Sequence, residues 1–341
     1  IQPKNPAFQA NLGAALIEAR KPAGALAAYL RAGKLNPDEP QFQMAIANCH
    51  ALRGEHAQAE KKLRKITQKF PHYALAWFNL GNTVRDQGRV EAALEFYRRA
   101  IAMDGGQIEA RNNLGAALMT LGRLDEAEQS FRDALALDPD SAIGHCNLAS
   151  ALIDRGRFAE AEVACRRAIA CAPQSALAHS FLAAAIGHQG RLHEALDIHR
   201  RAAALEPDNV RAIMALGSAL YETGFAAEGL PLLERAAALA PQSWEAHFSL
   251  AVVKLALGDF AQGWREFLYR STRGKFIRLY PDVKLSSALP ATLAGQHVCV
   301  QREQGLGDQI FFLRFAHEIK ARGARITYRA TPKIASLLAR V

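Results

Sequence analysis

An aliphatic residue followed by a small one recurs every 34 residues along this chain, in eight copies from Pro6 to about Arg270 with no insertion or deletion. The aliphatic member is Leu12, Ile46, Leu80, Leu114, Leu148, Leu182, Leu216 or Leu250, and the small member is Gly13, Ala47, Gly81, Gly115, Ala149, Ala183, Gly217 or Ala251. A second small position holds Ala25, Ala59, Ala93, Ala127, Ala161 and Ala195, then Gly229 and Gly263. A period of this length marks a repeat architecture whose units pack on their neighbours. Proline closes most units, at Pro37, Pro71, Pro139, Pro173, Pro207 and Pro241, while the third copy carries Gly105. Proline cannot extend a helix and suits the first turn of the next one. Gly54, Gly88, Gly122, Gly156, Gly190, Gly224 and Gly258 recur within units, where a turn between helices often needs a left-handed residue. The pattern predicts two helices per unit, A and B. Gly or Ala faces Ala where they cross, and Tyr29, Tyr97, Phe131 and Leu233 fill the space around the crossing.

These positions resemble the tetratricopeptide repeat. The resemblance implies an all-α fold, a right-handed superhelical solenoid of helix pairs over residues 6–270, with residues 1–5 as a flank. A solenoid escapes the usual size limit on a single core, so 341 residues can belong to one array. Half the residues are hydrophobic, yet no run of about 18 or more apolar residues exists to span a membrane. No signal peptide is seen; the chain begins at Ile1 without an initiator Met, which leaves the natural N-terminus open. Cys49, Cys146, Cys165, Cys171 and Cys299 are odd in number and show no CxxC spacing. They read as buried small residues in a reducing compartment, so a cytoplasmic location is expected.

Charge is unevenly placed. Residues 1–270 hold 30 Lys and Arg against 29 Asp and Glu, whereas residues 271–341 hold 12 against 4. The neutral repeats offer no continuous basic stripe, so nucleic acid is not an expected partner. Lys61, Lys62, Arg64, Lys65 and Lys69 lie on one B helix and read as a solvated outer face.

In a stacked helix-pair solenoid the A helices line the inner surface, so one repeat position becomes a ladder along the groove. The sixth position reads Asn11, Ala45, Asn79, Asn113, Asn147, Phe181, Ala215 and Ser249, and the ninth adds Asn48 and Asn82. Asparagine competes for backbone hydrogen bonds and is a poor residue in mid-helix, so its recurrence calls for a reason. Its carboxamide can pair with the carbonyl and amide groups of any extended peptide. Two readings stay open: a row that grips a polypeptide by its backbone, or repeat consensus lying in solvent. The row is similar to the asparagine ladder in the repeats of O-linked N-acetylglucosaminyltransferases, which implies polypeptide binding. Only Asn11, Asn79, Asn113 and Asn147 match it. His145, His179 and His247 occupy the fourth position, where Trp77 also stands. Sitting in different units, they read as packing residues rather than metal ligands, and no metal site is expected.

After Arg270 the period breaks. Residues 271–296 read as a connector, and residues 297–341 as strand, loop, helix, strand, helix, the opening of a doubly wound sheet. Gly305, Leu306 and Gly307, with Asp308, form a loop at the carboxyl end of the first strand, where helix amides favour a phosphate. Ile310 replaces the third glycine of a dinucleotide fingerprint. This segment resembles the start of GT-B glycosyltransferases of the heptosyltransferase group. That resemblance implies a general-base role for Asp308 in a parent enzyme; capping the helix is the competing role. Because the chain ends after two strands of this incomplete α/β segment, no activity and no cofactor are expected of the fragment, with a sugar nucleotide as donor in the parent. The expected partner is an extended polypeptide, recruited for a bacterial glycosyltransferase-like protein. A non-catalytic assembly scaffold, with the last segment as a cap, is the alternative.

Overall fold

A computed structural model describes residues 5–267, 269, 292–295, 297–301 and 316–329. The chain divides into two compact units, Ile1–Phe225 and Ala226–Val341.

In the first unit the A helices are α1 (Pro6–Glu18), α3 (Pro40–Leu52), α5 (Ala74–Asp86), α7 (Ile108–Thr120), α9 (Ala142–Asp154), α11 (Ala176–Gly187) and α13 (Val210–Glu222). The B helices are α2 (Pro22–Leu35), α4 (His56–Lys69), α6 (Val90–Met103), α8 (Leu124–Leu137), α10 (Phe158–Cys171) and α12 (Leu192–Leu205). Each helix packs on the one before and the one after it, as the repeat pattern requires. Asn5, Ser141, Ser175 and Asn209 cap α1, α9, α11 and α13 by accepting first-turn backbone N–H groups. Every predicted turn glycine from Gly54 to Gly258 has a positive φ, between 72° and 89°; in the first repeat Arg20, at φ 55°, fills that place.

At three of its glycines the small eighth position makes room for one of the large residues predicted around the crossing. At Gly13, Gly81 and Gly115 the atoms nearest to an added Cβ belong to the rings of Tyr29, Tyr97 and Phe131, at 2.7, 2.6 and 2.5 Å. Glycine makes room for a B-helix aromatic, and the close approach is ring against backbone. Tyr97 and Phe131 are wholly buried in a core running from Met44 to Ala151.

A second recurrence joins the repeats at the helix turns. Glu60, Glu128 and Glu162 stand one position after the buried alanines Ala59, Ala127 and Ala161. Each pairs with an arginine one turn along its own helix, Arg64, Arg132 or Arg166, and with Arg89, Arg157 or Arg191 of the next repeat. Hydrogen bonds from Arg166, then Gln189 and Arg191, hold the Glu162 carboxyl below the usual carboxylate range against the opposing effect of burial. Arg64 and Lys69 of the basic cluster are engaged by Glu60 and Asp38 on an exposed face, consistent with a solvated surface.

Cys49, Cys146 and Cys165 are buried free thiols and Cys171 is an exposed one. Burial pushes the Cys146 and Cys165 thiols up to about 11 and 12, so almost no thiolate exists near neutral pH. A thiol reagent applied to the native protein is therefore expected to label Cys171 quickly and to reach Cys146 and Cys165 only on unfolding. Mass mapping of the modified residues checks this.

The second unit contains α14 (Ala226–Leu239), α15 (Trp244–Ala256), α16 (Phe260–Phe267), β1 (His297–Gln301), α17 (Ala316–Ala321) and β2 (Arg325–Arg329). Ser243 caps α15. Strands β1 and β2 pair in parallel, His297 opposite Arg325 through Gln301 opposite Arg329. Leu293, Ile319 and Ala324 form a small apolar cluster beside them. Residues 302–315, which include the predicted loop Gly305, Leu306, Gly307 and Asp308, lie outside the described residues.

Candidate groove of the first unit

Within the first unit, odd-numbered helices from α3 to α13 also touch the next odd-numbered helix, and among the described residues the B helices show no comparable contact with one another. The A helices are thus the more closely spaced row, which is the geometry of the inner side of a curved stack. Sixth- and ninth-position residues of α5, α7 and α9 lie on this row.

Asn79, Asn82, Asn113 and Asn147 are half-buried, whereas Asn11 on α1 and Asn48 on α3 are exposed. The structure links three of the six to neighbouring repeats. Asn113 Nδ2 donates to Asn82 Oδ1 at 2.8 Å, and the Tyr97 hydroxyl donates to the same oxygen at 2.9 Å. Asn147 Nδ2 donates to Asn112 Oδ1 at 3.1 Å. Burial pushes the Tyr97 hydroxyl up to about 12, so it remains a donor throughout the neutral range. The side chains of Asn11, Asn48 and Asn79 have no hydrogen bond among the described residues.

These bonds orient the amides. With both lone pairs of Asn82 Oδ1 engaged, its Nδ2 group remains as a donor, and Asn113 keeps its carbonyl oxygen as an acceptor. A carboxamide fixed in this way loses less rotamer freedom on meeting a ligand than a free one. Sequence reasoning missed Asn112 and the link from Tyr97. The doublet Asn112-Asn113 was a visible signal for the first; the second depends on which B-helix hydroxyl reaches across, which periodicity does not show.

The fourth-position residues also have a defined function. Trp77 Nε1 donates to the Pro71 carbonyl at 2.8 Å, and Nε2 of His145 and His179 lies 2.9 and 3.1 Å from the carbonyls of Pro139 and Pro173. In the second unit His247 Nε2 stands 3.1 Å from the Pro241 carbonyl. Each ring ties an A helix to the proline that closes the preceding repeat. A carbonyl only accepts, so the proton is on Nε2.

The four fixed amides of Asn82, Asn112, Asn113 and Asn147 in the first unit describe a row suited to hydrogen-bonding recognition. No helix among the described residues is long and apolar enough to cross a membrane.

A family model described as tetratricopeptide repeat matches residues 10–74, 53–108, 112–176, 146–210 and 214–271. No curated protein matches the chain. Among solved structures, a tetratricopeptide repeat protein from Parabacteroides merdae ATCC 43184 is similar at TM-score 0.61 and 17% identity, over 70% of this chain and 96% of that one. A chain of the APC/C hetero-tetramer Cut9-Hcn1 gives TM-score 0.59 and 14% identity, over 78% of this chain. Yeast Tom70 gives 0.54 and 18%, over 75% of this chain and 58% of that one. The chain spans 54% of the matched APC/C chain. At these identities the likeness is one of fold.

Proposed function

The chain belongs to the tetratricopeptide repeat family, and from that premise we propose that its first unit is a protein-interaction module that binds an extended polypeptide along the A-helix row. The observation that carries this reading is the set of bridged amides, with Asn82 held by Tyr97 and Asn113 and Asn147 held on Asn112. Spacing them one repeat apart supplies donors and acceptors at intervals along a groove. An extended chain presents its own carbonyl and amide groups at regular intervals, whatever its side chains.

Each such bond contributes only about 0.5–1.5 kcal/mol net, so the grip depends on several at once. Replacing Asn79, Asn113 and Asn147 together by alanine is expected to weaken capture of extended peptides by roughly tenfold or more. Fluorescence anisotropy with labelled random peptides measures it, and circular dichroism checks that helix content is kept. Unchanged affinity in the folded triple variant would overturn the reading.

A second reading concerns the parent protein: recruitment of an acceptor polypeptide for a bacterial glycosyltransferase-like domain. It is supported by the parallel pairing of β1 with β2 across the stretch that contains α17, the opening arrangement of a doubly wound sheet. Sugar transfer from a nucleotide donor by the longer protein, lost on Asp308→Asn, would test it. Absence of any transfer would leave the module as a scaffold.

A further inference from the structure

Where the asparagine ladder lapses, a cavity takes its place. It has a volume of about 300 Å³ and lies in the first unit among α11, α12 and α13. Its origin can be read position by position. The sixth position of the seventh repeat is Ala215, where repeats one and three to five carry asparagine; Ala184 and Ser218 fill the ninth position; and Gly187 ends α11 without a side chain. On α12 the residue equivalent to Tyr97 and Phe131 is His199. In register with it stands Ala183, where those rings face glycine, and an imidazole fills less of the space than a phenyl or phenol ring.

The lining chemistry is one-sided. No lysine or arginine lines the cavity, and its one carboxylate, Glu222 of α13, is exposed and makes no ion pair among the described residues. His199 Nδ1 is sealed from solvent with no hydrogen-bond partner among the described residues. Burial pulls the His199 imidazole down to about 4, so it is neutral at physiological pH and does not repel a cation. The rest of the wall is chiefly alanine, with Gly187 and Leu192, and suits an aliphatic stem; it also includes Thr223 and His188, whose ring stacks on Phe158.

We infer that this cavity is a specificity pocket for one basic side chain, arginine or lysine, of the polypeptide held in the groove. Its methylenes lie against Ala184, Gly187 and Ala215, and its charged head meets Glu222, with the Ser218 hydroxyl as an acceptor. A basic side chain buries its stem on apolar surface while its head keeps polar company, and a carboxylate gives a charge-assisted hydrogen bond stronger than a neutral one. The chain would then read its ligand in two ways: by backbone in repeats three to five, and by side chain in repeats six and seven. This inference rests on the polypeptide-binding reading above.

The test uses the full chain and immobilised pools of short random peptides that share one fixed central residue: arginine, lysine, tyrosine or glutamate. The arginine and lysine pools are expected to bind roughly tenfold more tightly than the glutamate pool. Glu222→Gln is expected to erase that preference while leaving the tyrosine pool unchanged, and Ala215→Leu, which fills the cavity, to do the same. Both substitutions are at sites that are not fully buried, and the melting temperature of each variant confirms folding. Equal binding of all four pools, or a basic preference that survives both substitutions, overturns the pocket and leaves the polypeptide-binding reading standing. If no pool binds at all, both fall.

Discussion

Phe131→Ala is expected to lower the unfolding free energy of the first unit by about 3–5 kcal/mol, the range for removing a large buried aromatic. The ring is 1% exposed and stands against the bare backbone of Gly115, which itself offers no side chain to fill the hole. The reciprocal change, Gly115→Ala, adds a Cβ that would fall 2.5 Å from the ring. It is expected to cost about 1–3 kcal/mol through overpacking. The chain itself supplies a compensated pair. Repeats with glycine at this place carry Tyr29, Tyr97 or Phe131, whereas Ala47, Ala149 and Ala183 are matched by Leu63, Cys165 and His199. The last two repeats, with Gly217 beside Leu233 in sequence register and Ala251 beside Phe267, depart from this rule. A double variant, Gly115→Ala with Phe131→Leu, copies the second repeat and is expected to recover much of the loss. Urea unfolding followed by circular dichroism measures all three. An unchanged midpoint for Gly115→Ala would show that the ring yields freely and would defeat the packing argument.

Glu128→Ala is expected to cost about 1–3 kcal/mol, below the usual range for breaking a buried ion pair because its arginine partners are partly solvated. Glu128 is itself 3% exposed and is held by Arg132 and Arg157, each at 2.8 Å, and by Arg155. It ties α8 to the turn at the end of α9 and the start of α10, so its removal acts on the joint between two repeats. Repeats three and six place the buried Leu94 and Leu196 at the equivalent position. Glu128→Leu is therefore expected to be milder than Glu128→Ala, since a well-packed apolar residue can replace a buried ion pair at little cost. Thermal melts of the two variants rank them. If Glu128→Ala melts with the parent protein, the carboxylate contributes nothing to the joint.

The groove was only partly legible from the residues. Asn79, Asn113 and Asn147 stood out because asparagine is costly in mid-helix, and all three lie on the A-helix row. That Asn82 would accept from both Tyr97 and Asn113 was not legible, because it depends on a hydrogen-bond reach between helices rather than on a period along one. The cavity beside His199 escaped notice for a similar reason. It is made of what Ala215, Gly187 and Ala184 lack, and missing volume has no sequence signature until neighbouring helices enclose it.

By itself the sequence determined the helix pairs, their turns and their order. These rest on local chemistry: a proline that ends a helix, a glycine that turns left-handed, and a 34-residue period that only stacking can satisfy. The tertiary structure alone decided what each small residue makes room for, which carboxylates join successive repeats, and which amides of the groove are held in place. Those outcomes depend on distances between residues about one repeat apart, where packing at van der Waals contact and hydrogen bonds near 3 Å select among partners that the repeat pattern leaves equivalent.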